Sequence, residues 1–268
     1  MKRALTTLLL ILCTLLFFFA CSQLVRTYRQ YEDGTTAYEE LYDVYTTILP
    51  SDAETQMQEI GEPQIIQETA PITVDFESLT VQYPDVVAWL YCPDTIIDYP
   101  IMQAENNEKY LRTLPDGTWN IAGTLFMDYR NAADFSDSNS IVYGHNMKND
   151  SMFGTLPDYN SQEYYEENPH WYLLTPTADY KIELIAGYVT HSTSEAYAIP
   201  GTQEEKEKLI QTAFVKSDFT ADVEIAEHEN LITLSTCSYE YDNARYVLVG
   251  ILKELAKLNN EEAKGDQP

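Results

Sequence analysis

Between positions 86 and 252 the hydrophobic residues come in short runs rich in Val, Ile, Leu, Tyr and Phe, separated by Gly, Pro, Asn and Asp. This texture predicts strands at 86–91, 97–100, 123–127, 140–144, 170–175, 180–190, 231–236 and 246–252. Eight such runs are enough for a closed barrel or a sandwich. Two helical insertions interrupt them, at 107–114 and 203–214. The Glu-Glu-Lys-Glu-Lys run of the second insertion reads as a solvated helix face and not as a binding patch.

Upstream the pattern changes twice. Residues 22–69 are polar and acidic, with a helical spacing at Leu41, Val44 and Ile48 that Pro50 would end, so a stalk of one or two helices is expected. Pro63 and Pro71 bracket a linker, and a short helix follows at 76–83. At the start, Met1-Lys-Arg3 precedes an uncharged apolar run, 4–20, which is a membrane-targeting segment at the lower length limit for a spanning helix. Lys2 and Arg3 would keep the N-terminus in the cytoplasm and send the rest outward. Three fates remain open: an uncleaved anchor, which is the reading adopted; a lipid-modified Cys21; and ordinary cleavage. The expected organisation is an anchor at 1–25, a helical stalk and linker at 26–75, a catalytic domain at 76–256 and a disordered acidic tail at 257–268.

Composition narrows the function. A net charge of −27 argues against nucleic acid as a partner, because phosphate binding needs clustered cations. Of four cysteines, Cys13 and Cys21 lie in or beside the apolar run, leaving Cys92 and Cys237 outside it. In an exported protein these two could pair as a disulfide. No Cys/His spacing fits zinc or iron, so neither metal nor cofactor is expected.

A free cysteine is more often a small buried hydrophobe than a nucleophile. Cys237, however, alternates in phase with Leu231, Thr233 and Ser235, which puts it at a strand end on the face that carries hydroxyl groups. Arg245 heads the next strand, and its permanent charge and planar fork suit an oxyanion. The rival reading pairs it with Glu240 and Asp242. Of four histidines, His145 has the best context for proton transfer, following the run Ile141-Val-Tyr-Gly144.

Thr233-Leu-Ser-Thr-Cys237, Tyr239-Glu-Tyr-Asp-Asn-Ala-Arg245 and Tyr143-Gly-His145 together resemble the sortase family of cell-wall transpeptidases, more narrowly its class B. Asp98-Tyr-Pro-Ile-Met-Gln103, Asn107-Glu-Lys-Tyr-Leu111, Gly123-Thr-Leu-Phe-Met-Asp-Tyr-Arg-Asn131 and Phe153-Gly-Thr-Leu156 carry the likeness further, over roughly 86–252. The resemblance implies a mostly β fold: an eight-stranded barrel with N-terminal helices and a long helix between its sixth and seventh strands. It implies catalytic roles for Cys237, His145 and Arg245, and a groove lined by Ser235, Thr193, Tyr197, Asn107 and Leu111. It further implies cleavage of a C-terminal sorting signal after Thr, and transfer of a surface protein to a peptidoglycan amine from a membrane-anchored position on the extracellular face. One departure is Ser238, where some class B sequences carry an acid after the cysteine. Pilus assembly, a cysteine peptidase and a non-catalytic surface module with a Cys92–Cys237 disulfide are the alternatives.

Overall fold

The structure, a computed structural model, describes residues 2–49 and 68–256. The Pro63 side of the linker and the acidic tail therefore lie outside the described residues.

Helix α1 (Lys2–Tyr45) runs without a break from the apolar segment through the stalk. Its buried face is made by Tyr38 and Leu41, while Val44 and Ile48 are exposed. Of the aliphatic trio only Leu41 lies on the docked side, and Tyr38 supplies the rest of it. Helix α1 stops before Pro50, because β1 (Thr46–Ile48) pairs antiparallel with β2 (Ile72–Val74). This small sheet was not expected from the sequence. Helix α2 (Phe76–Gln82) follows, capped by Asp75, whose carboxylate accepts from Ser78 N at 3.1 Å, and it buries Leu79 completely.

The eight expected strands form a closed barrel. They are β3 (Val86–Tyr91), β4 (Asp98–Met102), β5 (Leu125–Met127), β6 (Asn139–Tyr143), β7 (His170–Leu174), β8 (Asp179–His191), β9 (Asn230–Cys237) and β10 (Ala244–Leu255). Around the barrel the order is β10-β8-β7-β3-β4-β5-β6-β9, with parallel pairs at β4–β5 and β6–β9. Closure leaves no free edge. The inner face holds Leu90, Ile101, Ile182, Leu184, Ile232, Leu234 and Leu248, all fully buried.

Between β6 and β7 lies α3 (Gln162–Glu167), and between β8 and β9 lies α4 (Gln203–Lys216). Helix α4 begins where Thr202 Oγ1 accepts from Glu205 N at 3.2 Å, with acids in its first turn and Lys216 in its last. Leu209, Ile210 and Ala213 pack on a second apolar cluster, the outer faces of Ile185, Val247, Val249 and Ile251. The other insertion is not a helix over 107–114 but a single 3-10 turn, Lys109–Leu111. Asn106 Oδ1 captures Glu108 N and Lys109 N, and Arg112 O is taken by Asn120 N. These bonds compete with the helical ladder and end it.

Asp98, the first residue of β4, accepts from Trp89 Nε1 at 2.5 Å. Burial raises its carboxyl to about 6, and the indole bond only partly opposes this. Because the folded value lies above the unfolded one, its contribution to stability is complete below about pH 4 and is lost as pH rises past 6. Asp98→Asn keeps an acceptor for Trp89 without the charge. In paired thermal melts the variant should gain on the wild type between pH 4 and pH 7; a constant difference would refute the assignment.

Candidate active site

Strand β9 is held on both sides. Its antiparallel register with β10 runs from Leu252↔Asn230 to Arg245↔Cys237, and its parallel register with β6 ends at Tyr143↔Ser235. Contacts continue past the end of β6: Gly144 N donates to Ser235 O (3.1 Å), Thr236 Oγ1 to Gly144 O (2.9 Å) and Asn146 Nδ2 to Cys237 O (2.8 Å). His145 is thereby drawn alongside Cys237. Adjacent strands lie about 4.8 Å apart, so three neighbouring strand ends offer an imidazole, a thiol and a guanidinium in one row.

Alternation decides which way the row faces. Ile232 and Leu234 of β9, with Tyr246 and Leu248 of β10, fill the barrel, so Ser235 and Cys237, with Val247 and Arg245, lie on its outer wall. Farther along the wall α4 covers this face. At Cys237 and Arg245 the helix no longer reaches, and both residues are partly exposed. Gly144 is sterically required here, since a Cβ would stand 2.5 Å from Leu125 Cδ2 and 2.6 Å from Phe153 Cδ2. A larger residue would lift His145 off the wall.

His145 Nε2 contacts Leu111 O at 2.6 Å. A carbonyl only accepts, so Nε2 carries the proton and Nδ1 remains the basic nitrogen. Burial, reinforced by the nearby Arg112 charge, lowers the His145 pKa, although the Leu111 bond opposes this. The ring is therefore neutral at pH 7. Arg245 Nη1 donates to Ala244 O at 2.8 Å, and among the described residues the guanidinium has no acidic partner. Glu240 is instead engaged by Ser238 Oγ. The expected rival role of Arg245, pairing with the acidic surface, is not observed.

Both barrel cysteines are free thiols, which overturns the disulfide alternative. Cys92 is 1% exposed, and burial pushes its thiol up to about 12, so it behaves as a core hydrophobe. Cys237 is the accessible one of the two.

The groove candidates divide. Tyr197, in a 3-10 turn (Glu195–Tyr197) after β8, places its hydroxyl 2.8 Å from Ser235 Oγ and stacks on Tyr143 at 6.1 Å between centroids. Asn107 sits on the same network: its Nδ2 donates to Asp128 Oδ2 (3.2 Å), and its Oδ1 accepts from Tyr129 N (3.0 Å). Leu111 offers an exposed side chain, while its carbonyl holds His145. Thr193 stands apart, exposed and bonded to His191 Nδ1 at 2.9 Å.

Three residues to which the sequence assigned no role tie this wall together. Asp128 is 1% exposed, accepts from Arg130 Nε and Nη2 (both 2.8 Å), and accepts from the Tyr143 hydroxyl (2.8 Å). Arg130 Nη2 also donates to Tyr197 O at 3.2 Å. Burial alone would raise the Asp128 pKa, but the donors of Arg130 and Tyr143 outweigh it and hold the carboxyl at about 2. The available signal was Asp-x-Arg directly after the strand that contains Leu125.

Residues 90–253 match the family model described as the sortase domain. The chain belongs to the sortase family. Its class is B: sortase B of Listeria monocytogenes is 37% identical over 173 residues, covering 63% of this chain and 70% of that protein. The solved Staphylococcus aureus sortase B–substrate complex superposes with TM-score 0.64 at 27% identity, over 68% of this chain and 85% of that one. A Bacillus anthracis protein described as similar to sortase B gives TM-score 0.65 at 27% identity, over 85% and 97%. The expected barrel, with its long helix between the sixth and seventh strands, is therefore the sortase B fold, and the chain is a cell-wall transpeptidase acting on sorting-signal substrates.

Tyr143→Phe tests the support of the wall, since it keeps the ring stacked on Tyr197 but removes one donor to the buried carboxylate. A hydrogen bond to a charged group is worth about 1.5–3 kcal/mol. Urea unfolding should show a loss of that size; an unchanged midpoint would mean that the Asp128 network holds without it.

Proposed function

We propose that Cys237 is the nucleophile, His145 the proton carrier and Arg245 the oxyanion partner of this transpeptidase. The observation that carries the reading is the Arg245↔Cys237 register pair with the two neighbours of His145, Gly144 and Asn146, bonded to the same strand end. His145 Nδ1 takes the proton of the thiol as sulfur attacks the carbonyl of the Thr in a C-terminal sorting signal. Arg245, with no acidic partner among the described residues to neutralise it, faces the negative charge that develops on that oxygen. His145 then gives the proton to the leaving amine, and a thioester remains on Cys237. An incoming cell-wall amine loses its proton to His145, attacks the thioester and restores the thiol.

Ser235 and Tyr197 form the floor and side of the groove beside Cys237, with Asn107 and Leu111 on the β6 flank and Thr193 at the outer rim. The described residues contain one helix long and apolar enough to cross a membrane, α1. We read it as a single-pass anchor with the barrel on the extracellular face, which brings the enzyme to surface proteins and to the peptidoglycan peptide that accepts them.

Cys237→Ala should abolish thioester formation with a signal peptide, read by mass spectrometry. Loss of one oxyanion donor costs about 10²–10³ in kcat, so Arg245→Ala should fall in that range and Arg245→Lys should not recover it. Near-normal turnover by Arg245→Ala would remove the oxyanion role.

The lowered pKa of His145 sets the sign of the pH dependence. The basic form is needed for attack, so the acid limb of kcat/KM should lie below the ordinary histidine value near 6.5. Arg112→Gln removes a repelling charge and should move that limb upward. A limb insensitive to Arg112 would assign it to another group.

A further inference from the structure

We propose that the loop carrying Arg112 and Trp119 rests on the lipid surface from which α1 emerges, with the Trp119 indole in the headgroup layer. The proposal depends on the anchor reading of α1 given above. A hydrocarbon core about 30 Å thick is crossed by about 20 helical residues, so an apolar run that starts at Ala4 reaches its far edge near Leu24. At about 1.5 Å per residue, Gln30 stands about 9 Å beyond that edge, just above the headgroups.

The underside of the barrel sits at this height. From residue 22 to residue 29 every residue of α1 is exposed, and burial against the barrel begins at Gln30. The bond made there is from Asn120 Nδ2 to Gln30 O (2.9 Å), and one turn higher Gly34 lies against the Asn120 side chain. Asn120 is 2% exposed and fixed from within the loop, its N donating to Arg112 O (2.9 Å) and its Oδ1 accepting from Ala122 N (2.8 Å). The loop is thus held at a definite distance from the membrane.

The residue before Asn120 is Trp119, 57% exposed, whereas Trp89 and Trp171 are 0% and 1% exposed. A single exposed ring is ordinary in itself; what singles this one out is that its loop is held at the height of the headgroups. The charges nearby favour an anionic lipid surface. The chain has six arginines, Arg3, Arg26, Arg29, Arg112, Arg130 and Arg245, within a net charge of −27. Arg26 and Arg29 of α1 and Arg112 of the loop occupy this level, and none of them pairs with an acid among the described residues. Glu32 and Asp33 follow higher on the helix and Asp116 lies at the loop tip. Tryptophan with arginine is the composition of a membrane–water interface.

The test uses the full chain in phosphatidylcholine–phosphatidylglycerol vesicles that contain lipids brominated near the headgroup. Flotation reports the anchor, and quenching of tryptophan emission reports the loop. The expected result is co-flotation with partial quenching, limited to one ring of three, that disappears in Trp119→Ser. Because Trp119 is exposed, this variant should retain the wild-type melting curve. Flotation without quenching overturns the loop contact and leaves the anchor standing, and so does quenching that persists in Trp119→Ser. Failure to float overturns the anchor reading and this proposal with it.

Discussion

The register of β9 is the constraint on which the site depends. The strand lies between a parallel partner and an antiparallel one, and its end is fixed by both. Because side chains alternate between faces, a slip of one residue against either neighbour would turn the thiol into the barrel and bring Thr236 to the outer wall. The β9–β10 ladder runs unbroken, whereas the irregularity in β10 at Val249/Gly250 falls on its other side, against β8. The distortion needed to close the barrel is thus kept off the ladder that aligns Cys237 with Arg245.

Around this row the wall is stiffened by a buried ion. Asp128 collects donors from Arg130, Tyr143 and Asn107, which come from three separate segments, and Arg130 extends the network to the Tyr197 backbone. A buried carboxylate is costly unless its lone pairs are used, and here they are. The arrangement sets the slope of the groove beside Ser235 while leaving the hydroxyl groups of Ser235 and Tyr197 bonded to each other. Those two hydroxyls can exchange that bond for one to a substrate without either being stranded.

Much of this was legible in the sequence because it is local. The strands follow from β-branched and aromatic runs, and the phase of Cys237 with Ser235 and Thr233 is a matter of counting by two. What escaped depends on distance along the chain. Nothing in residues 107–114 announces that Asn120 will take Arg112 O and that the turn will end after Leu111. The pairing of β1 with β2 joins three-residue strands too short to show a period, and Asp128 gains its meaning only from Tyr143 and Arg130. The side of α1 that docks was half hidden because Tyr38, which reads as neither core nor surface, shares it with Leu41.

The unbroken course of α1 gives the enzyme no elbow. Where α1 spans the bilayer, the barrel grips the same helix from Gln30 upward, so the groove travels at a single altitude and cannot reach up or down for a peptide. Length then joins chemistry as a criterion of choice. On the proposed roles of Cys237 and α1, a protein whose scissile bond is displayed at that altitude would meet the thiol by diffusion in a plane, and one whose spacer is too short or too long would pass by, whatever its signal sequence.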